Sequence, residues 1–147
     1  METTVVYSGA NLTSAYMASW RPEDDSIHVV LIDWALDGAD VDYDLKYIRR
    51  TANGWTTPVT LRSWTLTGLD IVEQAARLCP QITNQPNGIV IYNVEYDSGD
   101  AEGQLNAYWL ANADYHDPAV GNWTATTDIA TGIDVVGCNA PEYWPAK

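Results

Sequence analysis

In the stretch Ile27–Ile32, read as IHVVLI, every position but one is apolar. On an extended chain Ile27, Val29 and Leu31 line one side and Val30 and Ile32 the other, so both sides are hydrophobic. A strand wet on one side would alternate, so this one is expected inside a stack of sheets. Residues 40–47 do alternate: Val41, Tyr43, Leu45 and Tyr47 turn inward and Asp40, Asp42 and Asp44 face water. Further β-branched or aromatic runs follow in GIVIY from Gly88, GWTTPVTLRS from Gly54 and NWTATTDIA from Asn122. The segments RPEDDS and NQPNG carry turn residues just ahead of two of these strands. One stretch is ambiguous, because LDIVEQAARLC (69–79) has Leu69, Val72, Ala75, Ala76 and Cys79 at helical spacing.

The strands recur. TGLDIV from Thr67 returns as TGIDVV from Thr131, 64 positions on, and SGANL from Ser8 precedes Thr67 by 59. Laying residues 17–34 over 79–96 without a gap matches Ile27 with Ile89, Val29 with Ile91, Ile32 with Val94, Asp33 with Glu95 and Trp34 with Tyr96. Each interval holds about four strands, a self-similar unit of the size of a propeller blade. The expected organisation is one all-β domain over 1–147, with repeats at about 8–66 and 67–130 and a partial third from 131.

Composition narrows the partners. Twenty Asp and Glu against seven Lys and Arg give a formal net charge of −13, which repels nucleic acid and anionic membranes. Seven Trp and nine Tyr with no Phe mean that nearly every large ring carries a polar handle, to be satisfied when buried or used when exposed. Cys79 and Cys138 lack neighbours at metal-ligand spacing and read as reduced core thiols. No apolar run is long enough to span a bilayer, and the first residues lack the basic start and apolar centre of a signal peptide. The expectation is a soluble protein made without a leader, with the cytoplasm favoured as its location.

The succession CPQIT, GIVIY, YDLKY and TANGWTTPVTL resembles blades of sialidase-type β-propellers, whose outer hairpins carry an Asp-box turn. Thr51, Gly54 and Trp55 keep the hydroxyl, glycine and tryptophan of that turn, whereas its aspartate is missing and the GNW segment keeps less. The resemblance implies antiparallel four-stranded blades and says nothing of activity. A propeller needs about four to eight blades, more than one chain supplies. Either copies of the chain complete a ring, which removes exposed strand edges, or the repeats fold on each other as a sandwich or barrel.

The repeat sets an acid beside an aromatic at equivalent strand ends, Asp33-Trp34 and Glu95-Tyr96. Carboxylates accept hydrogen bonds from sugar hydroxyls and aromatic faces cover pyranose rings, so a duplicated glycan site is expected there, with Trp55 and Trp123 as further aromatic contacts. Weak duplicated sites on a homo-oligomer suit a lectin. The blander account has Asp33 and Glu95 ending strands and Trp34 and Tyr96 packing between sheets. Asp40, Asp42 and Asp44 present three carboxylates on one side of a strand and suggest calcium, although Leu45 stands where a helix-loop-helix calcium loop needs glycine. A glycosidase would need paired carboxylates, and a sialidase-like site would also need an arginine cluster; Arg49 and Arg50 are adjacent and point to opposite sides. His28 reads as a satisfied core residue and His116 as a loop residue, and neither completes a nucleophile set. A scaffold without ligand is the remaining class, since Tyr and Trp also anchor protein interfaces.

Overall fold

The computed structural model describes residues 7–8, 12–38, 40–67, 80–96, 102–111 and 122–134. Nine strands and no α-helix occur among them: β1 (Leu12–Arg21), β2 (Ser26–Asp37), β3 (Asp40–Thr51), β4 (Gly54–Trp55), β5 (Val59–Thr67), β6 (Gln81–Gln85), β7 (Gly88–Tyr96), β8 (Glu102–Ala111) and β9 (Trp123–Asp134). They form two antiparallel sheets. The N-terminal sheet runs β1-β2-β3-β4, with β5 also paired to β3, and the C-terminal sheet runs β6-β7-β8-β9. The C-terminal sheet is the four-strand meander that the repeat predicts, whereas the N-terminal sheet has five strands, because both β5 and the two-residue β4 pair with β3. Both sheets are open paths, and no closed barrel forms among the described residues. The segment 69–79, with its helical alternative and Cys79, lies outside the described residues, as do Cys138 and His116.

Turn chemistry sets where the strands begin. Between β1 and β2, Asp24 Oδ1 accepts hydrogen bonds from the Ser26 amide (3.3 Å) and hydroxyl (2.7 Å), while Asp25 takes a positive φ of 53°. The β6–β7 turn is tighter, with Pro86 and Asn87 between the paired Gln85 and Gly88. A Cβ on Gly88 would meet the Leu110 carbonyl oxygen at 2.2 Å, so a glycine is needed for β8 to approach. The Thr51–Trp55 segment forms a hairpin in which Gly54 sits at φ 108° and the Asn53 amide donates to Thr51 Oγ1 (3.1 Å).

One core lies between the sheets. Val30 and Ile32 from β2 and Val41, Tyr43, Leu45 and Tyr47 from β3 meet Ile82, Ile89, Ile91, Tyr108 and Leu110 from the other sheet. Each fully buried aliphatic or aromatic side chain there contributes about 1.5–3 kcal/mol. Trp123 stands edge-on to Tyr47 at 5.0 Å. Polar contacts fix the alignment, with Asn84 Nδ2 donating to Ser19 Oγ and to the Trp20 carbonyl, both at 2.9 Å. On the far side of the N-terminal sheet Leu31 and Ile48 are also buried, and Ile27 and Val29 are half-buried, in line with an inner strand apolar on both sides.

The sheets do not pack through equivalent faces. Ile27 and Val29 point away from the neighbouring sheet, on the side opposite Val30 and Ile32, whereas their repeat counterparts Ile89 and Ile91 lie in the shared core. One repeat therefore buries its even-numbered β2 side against the odd-numbered β7 side of the next.

Candidate functional site: a carboxylate cluster on the outer face

Asp33 reaches the outer face of the N-terminal sheet by strand alternation, and the register brings its neighbours there. It pairs with Asp44 on β3, Ala35 pairs with Asp42, and β5 sets Ser63 beside Asp44 and Thr65 beside Asp42. Cross-strand partners share a face, so these side chains converge. Lys46 Nζ donates to Asp33 Oδ2 at 2.6 Å and to Tyr7 Oη at 2.9 Å, and lies 3.3 Å from Asp44 Oδ2. Tyr7 donates in turn to Asp33 Oδ2. Ser63 Oγ and Thr65 Oγ1 donate to Asp44 Oδ1 and Asp42 Oδ1, each at 2.6 Å.

Burial alone would raise the Asp33 carboxyl, yet the hydrogen bonds from Lys46 and Tyr7 and the lysine charge prevail and hold its pKa below the usual value. For Lys46 burial acts downward, but bonding to Asp33 and Tyr7 outweighs it and pushes the ammonium well above its ordinary pKa. Tyr7 is raised, chiefly by burial and then by its bond to Asp33. Asp33 and Lys46 therefore stay ionised around neutrality, and Asp33 is not placed to deliver a proton as a glycosidase acid must. A concavity of about 120 Å³ opens here, lined by Asp33, Trp34, Ala35, Asp42 and Asp44.

Comparison with protein-family models, with curated proteins and with solved structures found no match for this chain.

The residues singled out in the sequence are distributed unevenly. Asp33 and Trp34 line the same concavity, but the Trp34 ring packs on the core side, because neighbours on a strand point to opposite faces. It is no open stacking platform. Trp34, Tyr43 and Trp64 form one cross-strand row on that side, with Tyr43 and Trp64 stacked at 5.4 Å. Trp34 Nε1, Tyr43 Oη and Trp64 Nε1 are all buried without a hydrogen-bond partner, contrary to the expectation that buried polar handles are satisfied. Trp123 packs against the core. Trp55 is half-exposed on β4 opposite Arg50. Glu95 and Tyr96 end β7, opposite Gln104 and Gly103; their side chains lie outside the described residues.

Asp40, Asp42 and Asp44 do share a side of β3, but Asp42 and Asp44 are bonded to hydroxyls and Lys46. Among the described residues no group of three or more His, Cys, Asp or Glu is placed to hold a metal ion. His28 is fully buried, with Nε2 2.8 Å from Ser26 Oγ and Nδ1 2.7 Å from Tyr47 Oη. Since the Ser26 hydroxyl donates to Asp24, His28 Nε2 donates to Ser26 and Nδ1 accepts from Tyr47. Burial, followed by the nearby Arg49 charge, lowers its pKa to about 4. It is a satisfied core residue. Arg49 is buried and Arg50 exposed, on opposite sides as their adjacency requires.

Sequence reasoning missed Tyr7, Lys46, Ser63 and Thr65. The last two were within reach, because Ser63 and Thr65 alternate in RSWT as Asp42 and Asp44 do in DVDYD.

Proposed function

We propose that the protein binds carbohydrate at the outer-face concavity. The observation that supports this reading is the convergence of Asp33, Asp42 and Asp44 on one small hollow that Trp34 and Ala35 also line. Ionised carboxylates accept hydrogen bonds from vicinal sugar hydroxyls, and Ser63 and Thr65 hold two of them in fixed orientation. The shallow hollow suits a terminal sugar and weak affinity. Useful avidity then comes from several copies of the site, which is the role of the proposed oligomer.

The propeller-like ring belongs to the same proposal. Packing of unlike faces supports it, since stacked blades meet front to back while a two-fold sandwich joins equivalent faces.

A glycan array probed with the purified chain tests the binding reading. Specific signal is expected, and both Asp42→Asn and Asp33→Asn are expected to reduce it at least tenfold with an unchanged circular dichroism spectrum. A blank array removes the lectin reading and leaves an assembly protein.

A further inference from the structure

Deepening the ring reading above, we propose that copies of this chain join head to tail through two unlike surfaces. The row Trp20, Ile27, Arg50 and Trp55 of one copy receives the Tyr92–Trp109 side of the next. The register puts the first four residues in one line across β1, β2, β3 and β4, on the outer face of the N-terminal sheet. Its counterpart in the C-terminal sheet is the line Asn84, Ile89 and Leu110.

That second line is covered within the chain. Ile89 and Leu110 are 0% exposed, and Asn84 is bonded across to Ser19 and Trp20. The first line is open: Trp20 is 59% exposed and Arg50 is exposed. The converse holds on the other sheet. Tyr92, the counterpart of fully buried Val30, is 37% exposed, and Trp109 stands on the same face beside Val90. The Trp109 ring lies over Gly88, where a Cβ would come within 2.9 Å of it. Each sheet thus has one face matched inside the chain and one lacking the neighbour that its counterpart enjoys. Farther along the N-terminal sheet Leu31 and Ile48 are already buried, so the open contact is the row beside the β1–β2 turn.

Charge points the same way. Among the described cations Arg21, Lys46 and Arg49 are ion-paired and Arg62 has a partner, while Arg50 stands unpaired in a chain of net charge −13. An unpaired guanidinium on this row favours an acidic neighbour over a basic one. Trp20 is held upright for the contact by its Nε1–H bond to Asp25 (2.9 Å). Because the two surfaces differ, the contact is heterologous, and it closes into a ring when the rotation permits. With two blade-like sheets per chain, a propeller of about four to eight blades needs about two to four copies.

The test is the solution mass of the wild-type chain and of two variants, Trp20→Glu and Tyr92→Glu, by light scattering, with circular dichroism as the folding control. Wild type is expected at a small multiple of 16.2 kDa and each variant as a monomer. Mixing the variants restores one intact pair of surfaces and should yield a dimer and nothing larger. A monomeric wild type overturns the proposal, as does dissociation by only one variant, which marks a like-on-like contact, or a mixture that stays monomeric. Should Trp20→Glu fail to fold, Arg50→Glu replaces it. Glycan binding measured on the monomeric variants is scored separately, so failure of assembly and failure of the carbohydrate reading remain distinct.

Discussion

In the N-terminal sheet Val30 and Ile32 face the shared core while Ile27 and Val29 face away; in the C-terminal sheet it is Ile89 and Ile91, the counterparts of Ile27 and Val29, that are buried there. The strands follow one another in the same order in both, so local sequence chemistry is not what separates them. What separates them is which neighbour each face meets. A strand apolar on both sides is stable in either orientation, and the stacking order then decides which side becomes core and which is left for another contact.

The sharpest way to break this comparison is to truncate equivalent residues. Ile89→Ala should cost about 3 kcal/mol, as expected for a fully buried isoleucine, and Ile27→Ala about 1 kcal/mol in chemical denaturation of the dilute chain. Equal losses would show that the two faces are equally buried and would sink the front-to-back arrangement.

Next in size is the pH response of His28, whose counterpart Val90 cannot titrate. The unfolded chain takes up the imidazole proton near 6.5 and the folded chain only near 4, so the unfolded state binds more protons between those values. Stability is therefore fully present above about pH 6.5 and falls as the pH drops to about 4, by at most about 3 kcal/mol. Asp33, with its pKa held down, adds a loss in the acid range. A His28→Gln variant should remove the step between pH 6.5 and 4 from denaturation midpoints measured across that range; a step that persists assigns it elsewhere.

A smaller effect is expected for the outer-face ion pair. Asp33→Asn leaves Lys46 with Asp44 and Tyr7 and should cost about 1 kcal/mol, since the pair is only partly shielded from water. Raised salt should narrow the difference between wild type and variant. Insensitivity to salt would show that the loss comes from packing.

The smallest change is at Tyr43, where the hydroxyl is buried, its pKa raised by burial, and it has no partner. Tyr43→Phe keeps the stack on Trp64 and should leave stability unchanged or raise it by up to about 1 kcal/mol. A clear loss of stability would reveal a partner for that hydroxyl.

Much of the architecture was legible because it rests on period-two patterning and turn chemistry. The alternation of residues 40–47 placed Val41, Tyr43, Leu45 and Tyr47 in the core, and the recurrence of strand and turn signals anticipated two consecutive antiparallel sheets, which have five strands and four. The site was legible in part. Asp33 and the β3 aspartates stood out, and Asp33 and Trp34 line one concavity, but alternation turns the Trp34 ring towards the core, since adjacent residues on a strand serve opposite faces. Lys46 and Tyr7 were invisible because their relation to Asp33 spans 13 and 26 residues and is created by strand pairing for Lys46 and by tertiary placement for Tyr7, which precedes β1.

By itself, then, the sequence determined which stretches are strands, where they turn and which side of β3 is wet, because propensity and alternation act over a few residues. Only the tertiary structure decided that Trp34 packs inward while Trp20 is exposed, that His28 finds Ser26 and Tyr47, and that one repeat shows its neighbour the opposite face. Those outcomes depend on which strand lies beside which and at what register, and a strand apolar on both sides carries no local signal of that choice.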